Sequence, residues 1–172
     1  MHIFLTGEVQ VGKSTVIEKT ASALGVPVGG FRSGFGSDRS EASRWLYLWD
    51  ASGPPVYDEA HGVVRFTDRK PEVLIDRFNA LGVEALRQAR HSGAGLILMD
   101  ECGRFEGQAA AFQAEIFAAL DGTIPVLGVV RQGFHSWLDD LRSHPKVTLL
   151  PVTVDNRDVL PDQIAALLRS DK

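Results

Sequence analysis

Gly7-Glu8-Val9-Gln10-Val11-Gly12-Lys13-Ser14 satisfies the phosphate-loop pattern G-x-x-x-x-G-K-[ST] at every fixed position. The residues on either side fit the same reading. His2-Ile3-Phe4-Leu5-Thr6 is an apolar run suited to a buried strand, and Ser14 to Leu24 can form a helix that stops at Gly25. Strand, glycine loop and helix are the context in which this motif holds phosphate. Gly7 and Gly12 let the backbone turn tightly and approach phosphate oxygens without a Cβ in the way. The loop N–H groups and the positive end of the new helix make an anion site. Lys13 can reach the β- and γ-phosphates, and the Ser14 hydroxyl can take a place on Mg²⁺. The expected nucleotide contacts are therefore Gly7, Glu8, Val9, Gln10, Val11, Gly12, Lys13, Ser14 and the adjoining Thr15.

Outward from the loop, strands alternate with helices. Strands are expected at Val28–Arg32, Arg44–Asp50, His61–Phe66, Ala94–Met99, Ile124–Val130 and Lys146–Leu150. Gly34 and Gly36 are expected to break the first of these. Residues 30 to 70 read as a β-rich, antiparallel insertion whose aromatic residues pack in the hairpin. Helical spacing runs from Leu74 to Ala89, with Gly82 expected to mark a break. It recurs from about Gln108 to Leu120, in a short helix outlined by Phe134, Trp137, Leu138 and Leu141, and from Pro161 to the end. This alternation implies a three-layer α/β fold around a mainly parallel sheet. The 172 residues suffice for one domain, residues 1–172, with a sizeable core.

Composition narrows the function. The net charge is −4, and no run of basic residues suggests a nucleic-acid surface. No apolar stretch is long enough to span a membrane, and no signal peptide is expected ahead of a strand that starts at once. Cys102 is the only cysteine, which suits a reducing cytoplasm and reads as packing rather than a reactive thiol. The five histidines are scattered and read as surface residues, not ligands. A protein partner is not indicated either way.

The apolar run into Asp100-Glu101 supplies a second site. At the carboxyl end of a parallel strand, side chains face the ligand crevice. Asp100 can hold Mg²⁺ through its water shell or beside Ser14, and Glu101 can polarise the water that attacks the γ-phosphate. Asp100-Glu101-Cys102-Gly103 also fits the GTPase pattern D-x-x-G, but no guanine-reading N-K-x-D occurs in the chain.

Asp100-Glu101-Cys102-Gly103-Arg104-Phe105-Glu106 resembles a known family: the small nucleoside-triphosphatases of thermophilic prokaryotes and of animals, where the member is called cancer-related NTPase. That family carries D-E-x-G-[KR]-x-E here, a phosphate loop at the extreme N-terminus, Gly-Phe after the second strand (Gly30-Phe31), and N-R-D near the C-terminus (Asn156-Arg157-Asp158). The resemblance implies a P-loop NTPase fold and Mg²⁺-dependent hydrolysis of ATP, GTP and other nucleoside triphosphates. It also implies a catalytic Glu beside the metal Asp. The chain departs from the family between residues 33 and 70, where a family arginine falls at Arg39 or Arg44. Arg104 either neutralises the γ-phosphate or pairs with Glu106 on the surface. Asn156-Arg157 either contacts the base or forms a turn opening the last helix. The catalytic set is then Lys13, Glu101 and Arg104, with Ser14 and Asp100 on the metal. Two other readings share these motifs: a P-loop kinase with a lid drawn from Arg131 and the 32–44 arginines, and a nucleotide sensor that turns over little.

Overall fold

The apolar runs of the sequence pair into one eight-stranded sheet. The computed structural model describes residues 1–134 and 136–172. In chain order the elements are β1 (His2–Thr6), α1 (Lys13–Leu24), β2 (Val28–Phe35), β3 (Arg44–Asp50), β4 (Gly62–Phe66), β5 (Glu72–Val73), α2 (Ile75–His91), β6 (Leu96–Cys102), α3 (Ala110–Asp121), β7 (Val126–Val130), α4 (Trp137–Arg142), β8 (Val147–Pro151) and α5 (Leu160–Ser170). Single 3₁₀ turns precede β4 and follow β6.

The sheet order is β5-β4-β3-β2-β6-β7-β1-β8. The strands from β2 to β8 in that order run parallel, and β3, β4 and β5 extend the sheet antiparallel. The β-rich insertion is therefore a continuation of the main sheet, joined to it through β2. β7 lies between β1 and β6, so the ends of three different strands converge at the phosphate loop.

Side-chain alternation builds the two outer layers. Ile3, Leu5, Leu96 and Leu98 pack on one face with Val16 and Ile17 of α1 and with Ile164 and Leu168 of α5. Phe4, Ile97 and Met99 point to the other face, under Phe78 and Leu86 of α2, Phe112 and Ile116 of α3, and Leu138 of α4. Both faces of the central strands are covered, which is why they read as unbroken apolar runs.

Several expectations are corrected. Gly34 does not end β2; it pairs with Tyr47, and the strand continues to Phe35. Phe134 lies ahead of α4, and Gln108 belongs to the 3₁₀ turn ahead of α3. Gly82 does not break α2, which runs unbroken from Ile75 to His91. The glycine is there for contact: a Cβ would sit 2.4 Å from the Phe112 ring. That ring is itself wedged between Phe31 and Phe78, with centroids 4.8 and 6.1 Å away. His2 is not on the surface. It is 1% exposed, with Nε2 2.7 Å from the Leu120 carbonyl and Nδ1 accepting the Val126 N–H at 3.1 Å. A neutral ring protonated on Nε2 satisfies both neighbours.

Two outcomes follow from these contacts. Gly82→Ala gains about 1 kcal/mol of helix propensity, but overpacking costs roughly 1–3 kcal/mol and the ring has nowhere to move. Denaturant melts should show net destabilisation; a stabilised variant would mean that the Phe112 contact is loose. For His2, burial lowers the pKa below its ordinary 6.5. As pH falls through 6.5, the unfolded chain takes up a proton that the folded chain refuses, so stability declines with falling pH. His2→Gln keeps one donor and one acceptor without titrating. Its stability should fall less steeply than wild type between about pH 7 and pH 5, and parallel curves would exclude this role for His2.

Candidate active site

β1 ends at Thr6, and the phosphate loop turns the chain from the sheet into α1. Gly7 and Gly12 sit at φ 149° and 110°, values that side-chain-bearing residues rarely adopt. Val11, 9% exposed, anchors the loop in the core beside Val16 and Ile17. Lys13 Nζ donates to the carbonyls of Gly7 at 2.8 Å and Glu8 at 2.6 Å, so the ammonium lies over the loop. Burial pulls the Lys13 pKa down, and Glu101 is the strongest opposing charge.

The acidic pair arrives on β6. Its pairing with β7 slips by one residue between Met99 and Cys102: Met99 faces Gly128 and Cys102 faces Val130. In a regular strand, consecutive side chains point to opposite faces. The extra residue re-aims them, and Asp100 and Glu101 both line the same cleft. Ser33 fixes the peptide that joins them, since its hydroxyl donates to the Asp100 carbonyl at 3.2 Å and accepts the Glu101 N–H at 3.3 Å.

Asp100 is 4% exposed. Burial raises its pKa, and Arg32 and the Ser14 hydroxyl oppose the rise. Arg32 Nη2 lies 3.1 Å from Asp100 Oδ2, and its Nη1 lies 3.0 Å from Glu18 Oε1. Glu101 is more open. Burial raises its pKa too, against the pull of Arg131, whose Nη1 is 3.5 Å from Oε1. A carboxylate held above its usual range beside a cation is suited to accepting a proton.

The cleft of about 550 Å³ is lined by the phosphate loop, the acidic pair, Phe35, Arg39, Arg131 and Phe134. Arg131 follows β7, and the position of β7 between β1 and β6 places it between the loop and Glu101. The sequence offered one signal for it, a cation directly after a buried strand. Arg104 lies elsewhere. Its guanidinium stacks 4.9 Å from the Phe105 ring and 5.2 Å from Phe134, and it borders a separate hollow with Lys70. The expected surface pair with Glu106 is also corrected: Glu106 is 5% exposed and accepts the Gly103 N–H at 2.9 Å. Burial raises its pKa to about 7. Trp137 Nε1 donates to the Gly103 carbonyl at 3.2 Å, so both sides of that glycine are held. Cys102 is fully buried, and burial raises its thiol pKa well above the usual value, in keeping with packing.

Past β8, the two residues of the Asn156-Arg157 pair have separate environments. The Asn156 amide is engaged within its own loop, accepting the Thr153 N–H at 2.8 Å and donating to Pro151 O at 2.9 Å. Arg157 reaches the phosphate loop and donates to the Val11 carbonyl at 3.1 Å. With Thr15, Lys19 and Asp158 it lines a hollow of about 240 Å³ behind Gly12.

Among the described residues, no group of three or more His, Cys, Asp or Glu side chains gathers as a metal cage. The Ser14 hydroxyl and the Asp100 carboxylate are hard oxygen donors. Such a pair suits a cation that also binds phosphate oxygens and water. No helix among the described residues is long and apolar enough to cross a membrane.

Comparison with known proteins places this architecture. The model of the family described as NTPase matches residues 2–165. The nucleoside-triphosphatase THEP1 of Thermofilum pendens is 30% identical, covering 98% of this chain and 96% of that protein. The human cancer-related nucleoside-triphosphatase is 28% identical over 99% of this chain and 98% of its own length. The crystal structure of THEP1 from Aquifex aeolicus superposes with a TM-score of 0.78 at 24% identity, over 98% of this chain and 99% of that one, a likeness of fold. With the family model spanning nearly the whole chain and a matching fold, the chain belongs to the NTPase family.

Proposed function

We propose that residues 1–172 form one domain that hydrolyses the terminal phosphate of nucleoside triphosphates, ATP and GTP among them, with Mg²⁺ as the metal. One observation carries the reading: Lys13, Ser14, Asp100, Glu101 and Arg131 line a single cleft at the ends of β1, β6 and β7. The loop N–H groups and Lys13 cradle the phosphates. Ser14 and Asp100 hold the metal, which when bound offsets charge on the phosphate oxygens. Glu101 takes the proton of the attacking water. Arg131 faces the γ-phosphate in the role first given to Arg104, and Arg104 supports it through Phe134, which stacks with both guanidinium groups. A cytoplasmic location suits the single buried thiol.

The base is assigned to the hollow behind Gly12. Asn156 shapes the loop, and Arg157 offers its flat guanidinium to the base. Stacking discriminates weakly among bases, so broad nucleotide use is expected. A kinase reading has one observation in its favour: Phe35 and Arg39 line the cleft beside Arg131, where an acceptor would enter.

Steady-state phosphate release from ATP, GTP, CTP and UTP with Mg²⁺, and with no acceptor added, tests the activity. Glu101→Gln should lower turnover by about 10²–10⁴ while nucleotide binding persists. A rate within about twofold of wild type would remove Glu101 as the base. In the same assay Arg131→Ala should cost more than Arg104→Ala; the reverse order would return the γ-phosphate to Arg104.

Arg157→Ala should weaken ATP and GTP alike by about 1–3 kcal/mol and leave inorganic triphosphate unchanged. Equal losses for all three would place Arg157 under the phosphates through its bond to Val11. No loss for any would leave it a structural residue.

A further inference from the structure

Arg32 is the residue that the phosphate loop and the acidic pair leave unexplained. In the β2–β6 register it stands directly opposite Asp100. Its guanidinium spans from the Asp100 carboxylate to Glu18 on α1, at 3.1 and 3.0 Å. The three side chains differ sharply in exposure: Asp100 6%, Arg32 18% and Glu18 62%. The guanidinium fork thus links a buried acid to an exposed one, and among the described residues its ion-pair partner on the solvent side is Glu18.

A dication seated on Ser14 and Asp100 and the Arg32 cation would both draw on the same carboxylate. Two positive charges at that spacing repel strongly where water is scarce. We propose that Arg32 is a positioning residue that competes with the divalent cation for Asp100, so that metal alone binds poorly and enters only with the phosphates of the nucleotide. The triphosphate brings the negative charge that offsets the extra cation. When the metal arrives with it, Glu18 remains as the partner of Arg32, and the guanidinium still orients the carboxylate through its contact with Oδ2. The proposal rests on the reading of Ser14 and Asp100 as the metal side of the site.

Mn²⁺ is the probe, with binding read by electron paramagnetic resonance on the folded protein with and without ATP. Arg32→Gln keeps a donor for the buried Asp100 and removes the charge. Without nucleotide it should bind Mn²⁺ at least roughly tenfold tighter than wild type, and the gain should vanish in Arg32→Gln/Asp100→Asn. Arg32→Lys, which keeps the charge and a donor, should stay within about twofold of wild type. An Arg32→Gln protein that binds Mn²⁺ no tighter than wild type overturns the proposal and leaves the site reading intact. Should Arg32→Gln fail to fold, a tenfold gain in the Arg32→Lys protein would overturn it instead, since charge would then not be what excludes the metal. ATP-dependent Mn²⁺ binding that survives Asp100→Asn overturns the metal reading itself, and the proposal with it.

Discussion

A carboxylate buried at the carboxyl end of a central strand must be compensated, and the arrangement around Asp100 follows from that requirement. An unpaired charge there would be strongly unfavourable or would be neutralised by a proton. Here the compensation comes from Arg32 on β2 and the Ser14 hydroxyl at the start of α1. Glu18 extends the link one turn further along α1. The same side chain therefore ties the phosphate loop, its helix and two strands of the sheet. A geometry set by so many fixed partners is preorganised, which is where electrostatic catalysis of phosphoryl transfer draws its strength.

Glu101 is subject to a weaker version of the same forces. It is more exposed than Asp100, its cation is further away, and its carboxyl is shifted up. Burial raises both carboxyls, Asp100 against Arg32 and the Ser14 hydroxyl and Glu101 against Arg131; in the proposed function the first would face the metal and the second would take the proton. The support beneath Glu101 is held from several sides. Ser33 holds its N–H, the Arg131 N–H donates to the Cys102 carbonyl, and Glu106 and Trp137 grip Gly103. Arg142 of α4 reaches back to the carbonyls of Arg131 and Gly133. The short α4 therefore clips together the two segments that follow β6 and β7.

What the sequence revealed is what local spacing encodes. The phosphate loop, the strand that runs into Asp100, the limits of β3 and the amphipathic stretch of α2 are all properties of neighbours along the chain. The relations it hid are long-range. Nothing in the run Val126 to Val130 says that β7 lies between β1 and β6, so the place of Arg131 beside Glu101 was out of reach. The one-residue slip that turns Asp100 and Glu101 to the same cleft depends on a partner strand. Local helix propensity predicts a break at Gly82, while the reason for the glycine, the Phe112 ring, is about thirty residues away. The burial of His2 is hidden for the same cause, since its partners are Leu120 and Val126. In the site, the phosphate loop and the acidic pair line one cleft, whereas Arg104, named from its place in the D-E-x-G-[KR]-x-E stretch, borders a different hollow.

The central claim is that one triphosphate and one divalent cation lie between the phosphate loop and the acidic pair. A crystal structure with Mn²⁺ and a non-hydrolysable ATP analogue tests it most directly, because the anomalous signal of manganese locates the metal independently of the surrounding density. The account predicts a single strong peak beside Ser14 on its Asp100 side, the γ-phosphate facing Glu101 and Arg131, and the base against Arg157. A metal peak remote from Ser14, or a triphosphate lying outside the loop, would contradict it.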